Sequence, residues 1–146
     1  MTTIKPMSAL AIEKVRAVQS AIMKCPPVDM PVHHTLHGGV YSRSLRIPAG
    51  VMIVGALIRV PTTLIISGRV TVWANDQTME VDGYTVLAGS VGRKQVFVAH
   101  EDTDMTMCFA TQAKTVDEAE REFTEEWELL ASRSHPHLNT ELITGE

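Results

Sequence analysis

Residues 40–74 read VYSRSLRIPAGVMIVGALIRVPTTLIISGRVTVWA, and the fold follows from how this stretch is punctuated. Short β-branched and aliphatic runs are divided by Gly and Pro, the pattern of an antiparallel sandwich or barrel. Its longest apolar run, Val51 to Ile58, is stopped by Arg59 and Pro61 far short of the roughly 20 residues that span a bilayer, so it reads as a strand. The pattern continues to Thr111 and predicts about eight strands. They are Val40 to Ile47, Val51 to Ile58, Thr63 to Ile66, Arg69 to Ala74, Thr78 to Val81, Tyr84 to Leu87, Gln95 to Ala99 and Met105 to Ala110. Between them, Pro48-Ala49-Gly50, Asn75-Asp76-Gln77, Asp82-Gly83 and Glu101-Asp102 supply a constrained φ, a tolerated left-handed φ or a local side-chain hydrogen bond.

The flanks have a helical period instead. From Ser8 to Lys24, Ala11, Val15, Val18 and Ile22 form one stripe, and Cys25-Pro26-Pro27 ends it because proline cannot continue the hydrogen-bond ladder. After Lys114, Val116, Ala119, Phe123, Trp127 and Leu130 make a second stripe among acidic residues, with Thr115 and Glu118 as a capping box. The expectation is one domain over 1–146: a helix at 8–24, a β-barrel at 33–112, an acidic helix at 115–133 and a terminal arm at 134–146.

Composition sets outer limits on function. The 146 residues are 45% hydrophobic and 21% charged, the balance of an ordinary soluble globule. A formal net charge of -4 gives no positive field to hold a polyanion, which argues against nucleic acid as partner. No basic segment followed by an apolar run opens the chain, so the expected place of synthesis and action is the cytoplasm, with no membrane partner. Two cysteines, Cys25 and Cys108, are too few for a disulfide framework and read as reduced thiols.

Two segments, Ile47-Pro48-Ala49-Gly50 through Ser67-Gly68-Arg69-Val70 and Gly83-Tyr84-Thr85-Val86 to Gly92-Arg93-Lys94-Gln95, resemble the two blocks of the cupin superfamily. More narrowly, His33-His34, Val40-Tyr41-Ser42-Arg43 and His100-Glu101-Asp102-Thr103 together with the first block resemble small cupin-like proteins of tailed bacteriophages, over residues 33–112. The resemblance implies a mainly β, cupin-type jelly-roll barrel, a double-stranded β-helix with an N-terminal and a C-terminal α-helix. Cupin metal chemistry needs two His and one Glu from the first block and a third His from the second. Residues 38–75 hold no His, Cys, Asp or Glu, and the second-block position is Gln95. No cofactor is therefore expected.

Several constellations remain as candidates. His33, His34 and His37 are the densest group for a metal, although adjacent His33 and His34 point to opposite sides of an extended chain. His37 with Tyr41, or His100 with Tyr84, are the candidate acid–base pairs of a metal-free enzyme. Arg43, Arg59, Arg69 and Arg93 are candidates for an anion pocket, against the bland reading that they face solvent or pair with carboxylates. Phe123, Trp127, Leu130, Leu138, Leu142 and Ile143 are candidate interface residues, because a small barrel has limited outer surface for two helices and an arm.

With the metal ligands missing, the barrel is expected to be packed with aliphatic side chains, Val51, Ile53, Ile65, Val70, Val72, Val86 and Val96 among them. The leading expectation is then a non-enzymatic structural protein: a bacteriophage virion component, capsid decoration or tail-associated, acting as a homo-oligomer and through capsid or tail proteins. It would be made in the host cytoplasm and end in the virion. The alternative is a metal-independent cupin enzyme or small-ligand-binding protein working at the barrel mouth, which a polar, open cavity would favour.

Overall fold

The structure is a computed structural model that describes residues 2–75 and 77–146. Asp76, the middle of the expected Asn75-Asp76-Gln77 turn, lies outside the described residues, as does Met1. The elements are β1 (Thr2–Ile4), α1 (Ala9–Ile22), β2 (Val32–His37), β3 (Val40–Ile47), β4 (Met52–Val54), β5 (Thr62–Ala74), β6 (Gln77–Gly89), β7 (Val96–Ala99), β8 (Thr103–Ala110), α2 (Val116–Phe123), α3 (Ala131–Ser134) and β9 (Thr140–Ile143). None of the helices described is long and apolar enough to cross a membrane.

One β-layer runs in the order β1-β6-β5-β8-β3-β2-β9, and the other is built where β4 and β7 continue onto β5. The two layers share β5 and β6, which turn a corner together. Residues Thr63 to Ser67 of β5 pair with β8, and Val70 to Trp73 pair with β7. The corner is made by Gly68 at φ +148°, directly opposite Gly83 at φ +79°. A Cβ on Gly68 would fall 2.4 Å from Thr103 Oγ1 and 2.8 Å from Thr103 Cα, so only glycine lets β8 approach here. This is the expected mainly β jelly roll.

The interior differs from the expected one by a single residue along two strands. Leu64 and Ile66 of β5 and Leu87 of β6 are buried in the core with Ile47, Val70, Val72, Val81 and Phe97. Ile65 and Val86 are half-buried on the opposite face, and Val96 is buried under α1 rather than inside the barrel. A run such as Leu64-Ile65-Ile66 is apolar on both faces, so its alternation gives no register. Around Val96 the outer face is covered by α1, whose Ala11 and Val15 pack with Met7 and Val96 against Trp73, Val54 and Val98. Ser8 caps this helix, its hydroxyl accepting from the Ala11 N–H at 3.1 Å.

Two expected strand pairs are single strands here, because the break at Gly68 and the expected turn at Asp82-Gly83 together make the corner. Val51 to Ile58 shortens to Met52–Val54, and the expected helix at 115–133 stops at Phe123. Thr124 is extended at φ -152°, and its hydroxyl accepts from the Glu126 N–H at 3.0 Å. A straight helix at about 1.5 Å rise per residue would run off the end of the barrel. The break instead returns Leu130 to the patch of Leu36, Tyr41, Ile58 and Phe109 on which Phe123 sits.

Candidate functional site

The turn Gly92-Arg93-Lys94-Gln95, between β6 and β7, builds the site. Gly92 takes φ +75°, and the backbone beyond it is pinned on both sides. Ile58 N–H donates to Arg93 O at 2.9 Å, Gly55 N–H donates to Gln95 O at 2.9 Å, and Met7 N–H donates to Gly92 O at 2.8 Å. The result is three consecutive polar side chains in the interior, with Arg93 2%, Lys94 0% and Gln95 4% exposed. In an extended segment residues i and i+2 share a side, so Arg93 and Gln95 act together. Arg93 Nε donates to Gln95 Oε1 at 3.2 Å, Arg93 Nη1 donates to Ser90 O, and Arg93 Nη2 donates to Thr62 Oγ1. The guanidinium lies over Gly89, where a Cβ would meet Cζ at 2.5 Å.

These side chains line a cavity of about 180 Å³ inside the barrel, which corrects the expectation of a filled core. Its apolar wall is Leu45, Ile53, Leu64, Phe97, Met105 and Met107. The polar wall is Arg43, Arg93, Lys94, Gln95 and Glu126, with Gln19 and Met30 also on the lining. Lys94 Nζ donates to Glu126 Oε1 at 2.9 Å, Glu126 Oε2 at 3.1 Å and Gly55 O at 3.0 Å. This contact ties the segment after α2 across the barrel.

Two buried groups on this wall lack what burial normally demands. Gln95 Nε2 has no hydrogen-bond partner among the described residues. Its amide orientation is set by Arg93 Nε, which can only donate and therefore holds Oε1. Among the described residues Arg93 has hydrogen-bond acceptors but no carboxylate partner, and burial pulls the pKa of its guanidinium down to about 10. By contrast, the neighbouring cations are paired: Lys94 with Glu126, and Arg43 with Glu120 at 2.8 Å.

Arg43 belongs to a buried network that fastens the C-terminal segment. Glu120, whose side chain is 3% exposed, accepts from Arg43 Nη1 at 2.8 Å, from Arg133 Nε at 2.7 Å and from Ser132 Oγ. Behind it, His34 Nδ1 and Tyr41 Oη share a hydrogen bond at 2.7 Å. Burial, then the Arg43 charge, holds the His34 imidazole below its ordinary value, while burial pushes the Tyr41 phenol up to about 12. Both groups are therefore neutral near pH 7. Two cations contact the Trp127 ring, Arg121 at 3.7 Å and Arg133 at 4.9 Å from its centroid.

The residues singled out from sequence are distributed as follows. His33, His34 and His37 do not converge: His34 is buried, whereas His33 and His37 are exposed and hydrogen-bonded to Thr140 and Thr144 of the C-terminal segment. Tyr41 pairs with His34 instead of His37. His100 bonds Thr71 at 2.6 Å, and Tyr84 is an exposed ring opposite Ser67, so no acid–base pair forms there. Of the four arginines, Arg43 and Arg93 reach the cavity. Arg59 is held outside by Glu125, and Arg69 is exposed opposite Asp82.

Phe123 and Leu130 are consumed inside this fold, and Trp127 and Leu138 are half-buried. Leu142 and Ile143 remain exposed on β9, which adds in parallel to β2. Sequence reasoning passed over Lys94, Glu120 and Glu126, and treated Gln95 only as a failed ligand. The available signal was three adjacent polar residues between two apolar strands at the block that turns inward in this fold.

A metal ion does not fit this wall. It carries no His, Cys or Asp, its carboxylate is engaged by Lys94, and cations outnumber it. Among the described residues, no group of three or more His, Cys, Asp or Glu comes together to hold a metal.

No protein-family model and no curated protein matches the chain. Among solved structures it is similar to an ectoine synthase from P. lautus, with TM-score 0.52 and 13% identity over 68% of this chain and 76% of that one. It is also similar to a salicylate 1,2-dioxygenase from Pseudaminobacter salicylatoxidans, with TM-score 0.52 and 11% identity over 78% of this chain but 35% of that longer one. An RmlC-like cupin family protein from Methanocaldococcus jannaschii aligns with TM-score 0.48 and 15% identity over 60% of this chain and 85% of that one. At such identities the likeness is one of fold, and the strand order makes this chain a mainly β protein with a jelly-roll barrel.

Proposed function

We propose that this chain is a metal-independent small-molecule-binding cupin whose site is the barrel cavity. The observation that carries the reading is the cavity of about 180 Å³ with an apolar body and a polar end at Arg93 and Gln95. A protein built only as a spacer or shell has no use for a buried arginine without a carboxylate partner, whereas a binding site does. The reading assigns no catalytic residue, because the proposed acid–base pairs His37 with Tyr41 and His100 with Tyr84 do not meet. It is tested by ¹⁵N NMR with a panel of small neutral, anionic and cationic compounds, together with elemental analysis of untreated protein. Shifts gathered on Leu64, Gln95, Phe97, Met105 and Met107, with no stoichiometric metal, are expected. Shifts confined to the outer surface, or one equivalent of metal, would overturn it.

The second reading is the homo-oligomeric structural protein, a bacteriophage virion component with capsid or tail proteins as partners. One feature favours it: the outer edge of β9 is unpaired among the described residues and carries exposed Leu142 and Ile143. In this reading β9 continues the sheet into a neighbour. Light scattering that returns a compact monomer would count against it.

A further inference from the structure

We infer that the ligand of this cavity is a small monocarboxylate with an apolar body about the size of one six-carbon ring, its carboxylate seated between Arg93 and Gln95. The inference rests on the cavity being a binding site, and it adds the chemical class. Both deficits at the polar end are deficits of acceptor. Gln95 Nε2 offers N–H groups to nothing, and its flip is blocked by the Arg93 Nε bond. Arg93 has five N–H donors, of which one on each nitrogen is committed, to Gln95, Ser90 and Thr62, leaving donors on its two terminal nitrogens. A ligand that brought donors or a positive charge would leave both groups unsatisfied and add repulsion from Arg93 and Lys94. A carboxylate supplies two acceptor oxygens and one negative charge, the complement of a guanidinium beside an amide.

The remainder of the wall sets the rest of the molecule. Leu45, Ile53, Leu64, Phe97, Met105 and Met107 offer no polar side-chain partner, so the body is apolar. A dry cavity of ~150 Å³ accepts benzene. The 180 Å³ here suits a body of that size. Dicarboxylates are disfavoured because Arg43 and Lys94, the other cations on the wall, already hold Glu120 and Glu126. The two methionines give the apolar end the adaptable surface that tolerates either a ring or a short branched chain.

The test compares benzoate with benzyl alcohol, which has a similar body and no charge, by calorimetry and ¹⁵N NMR on the full chain. Benzoate is expected to bind at least about tenfold more tightly, the difference that charge-assisted hydrogen bonds to a buried cation supply. Equal or tighter binding of benzyl alcohol overturns the carboxylate assignment and leaves the cavity reading standing. Binding of neither overturns both. A second arm uses Gln95→Glu, which gives Arg93 an internal carboxylate at the same position. This variant is expected to lose benzoate binding, keep benzyl alcohol binding and melt at a higher temperature. Retained benzoate affinity in a folded Gln95→Glu protein refutes the assignment. The wild-type comparison needs no variant, so a variant that fails to fold does not remove the test.

Discussion

Replacing Glu120 by Gln removes one negative charge from the junction between the barrel and the C-terminal segment and leaves the volume unchanged. Three donors converge on that carboxylate, from Arg43, Arg133 and Ser132. Arg133 retains Asp117, whose Oδ1 lies 2.6 Å from its Nη2, so its loss is partial. Among the described residues no second carboxylate pairs with Arg43: its side chain is 10% exposed, and its other contacts are neutral, the Ser132 hydroxyl at 3.1 Å, the Tyr41 phenol and the face of Phe123. Stranding one member of a buried ion pair costs about 3–5 kcal/mol. Glu120→Gln should therefore lower unfolding stability by roughly 3 kcal/mol and the melting midpoint by about 6–12 °C for a chain of this size. Urea titration followed by circular dichroism measures it. The double variant Arg43→Met/Glu120→Leu should recover much of the loss, because an apolar pair can replace a buried ion pair at little cost. A loss below about 1 kcal/mol for Glu120→Gln would show that Arg43 finds another anion or water, and would refute the clamp.

Gly68→Ala should destabilise by more than about 3 kcal/mol, since the new methyl meets Thr103 backbone and the φ of +148° disfavours any L side chain; an unfolding midpoint near that of the wild type would contradict the corner geometry. His34 carries a pH dependence whose sign follows from its lowered pKa. Below the ordinary value of 6.5 the unfolded chain takes up a proton that the folded one refuses, so this contribution to stability is intact above that pH and is lost as pH falls beneath it. Urea midpoints at pH 7.5 and pH 5 should diverge less in His34→Gln than in wild type; equal divergence would place the titration elsewhere. Glu126→Gln should loosen the segment after α2, seen as faster amide exchange at Leu129 and Leu130 without change in β5. Unchanged exchange would mean that the Lys94 contact does not hold this segment.

How much of this was legible beforehand depended on whether the signal was local. Caps were: Ser8 and Thr115 start their helices because the hydroxyl that accepts an N–H three residues on is written into the sequence. Strand content was equally plain, since β-branched runs divided by Gly and Pro suit few other structures. The sequence breaks the strands at Gly68 and at the Asp82-Gly83 turn and does not distinguish a corner from a turn, because the same positive φ serves either and the difference lies in Thr103, far along the chain. The strand β9 has no alternating pattern and exists only because the edge of β2 is free to receive it. Arg93 was among the arginine candidates, but its isolation from any carboxylate depends on what Glu120 and Glu126 do, which no spacing reveals.

The parallel pairing of β9 with β2 joins residues whose positions differ by 107, as in His33 with Thr140, whereas the β5–β6 ladder closes on itself across Ala74 and Gln77. Loop closure makes such distant pairings late events. During synthesis the β2 edge is made long before β9, so until Thr140–Ile143 emerges it is an open edge with His33 and His37 uncovered. The finished sheet thus depends on a closing strand made long after the edge it covers, and a nascent chain stalled before Thr140 presents an open edge able to pair with a neighbour.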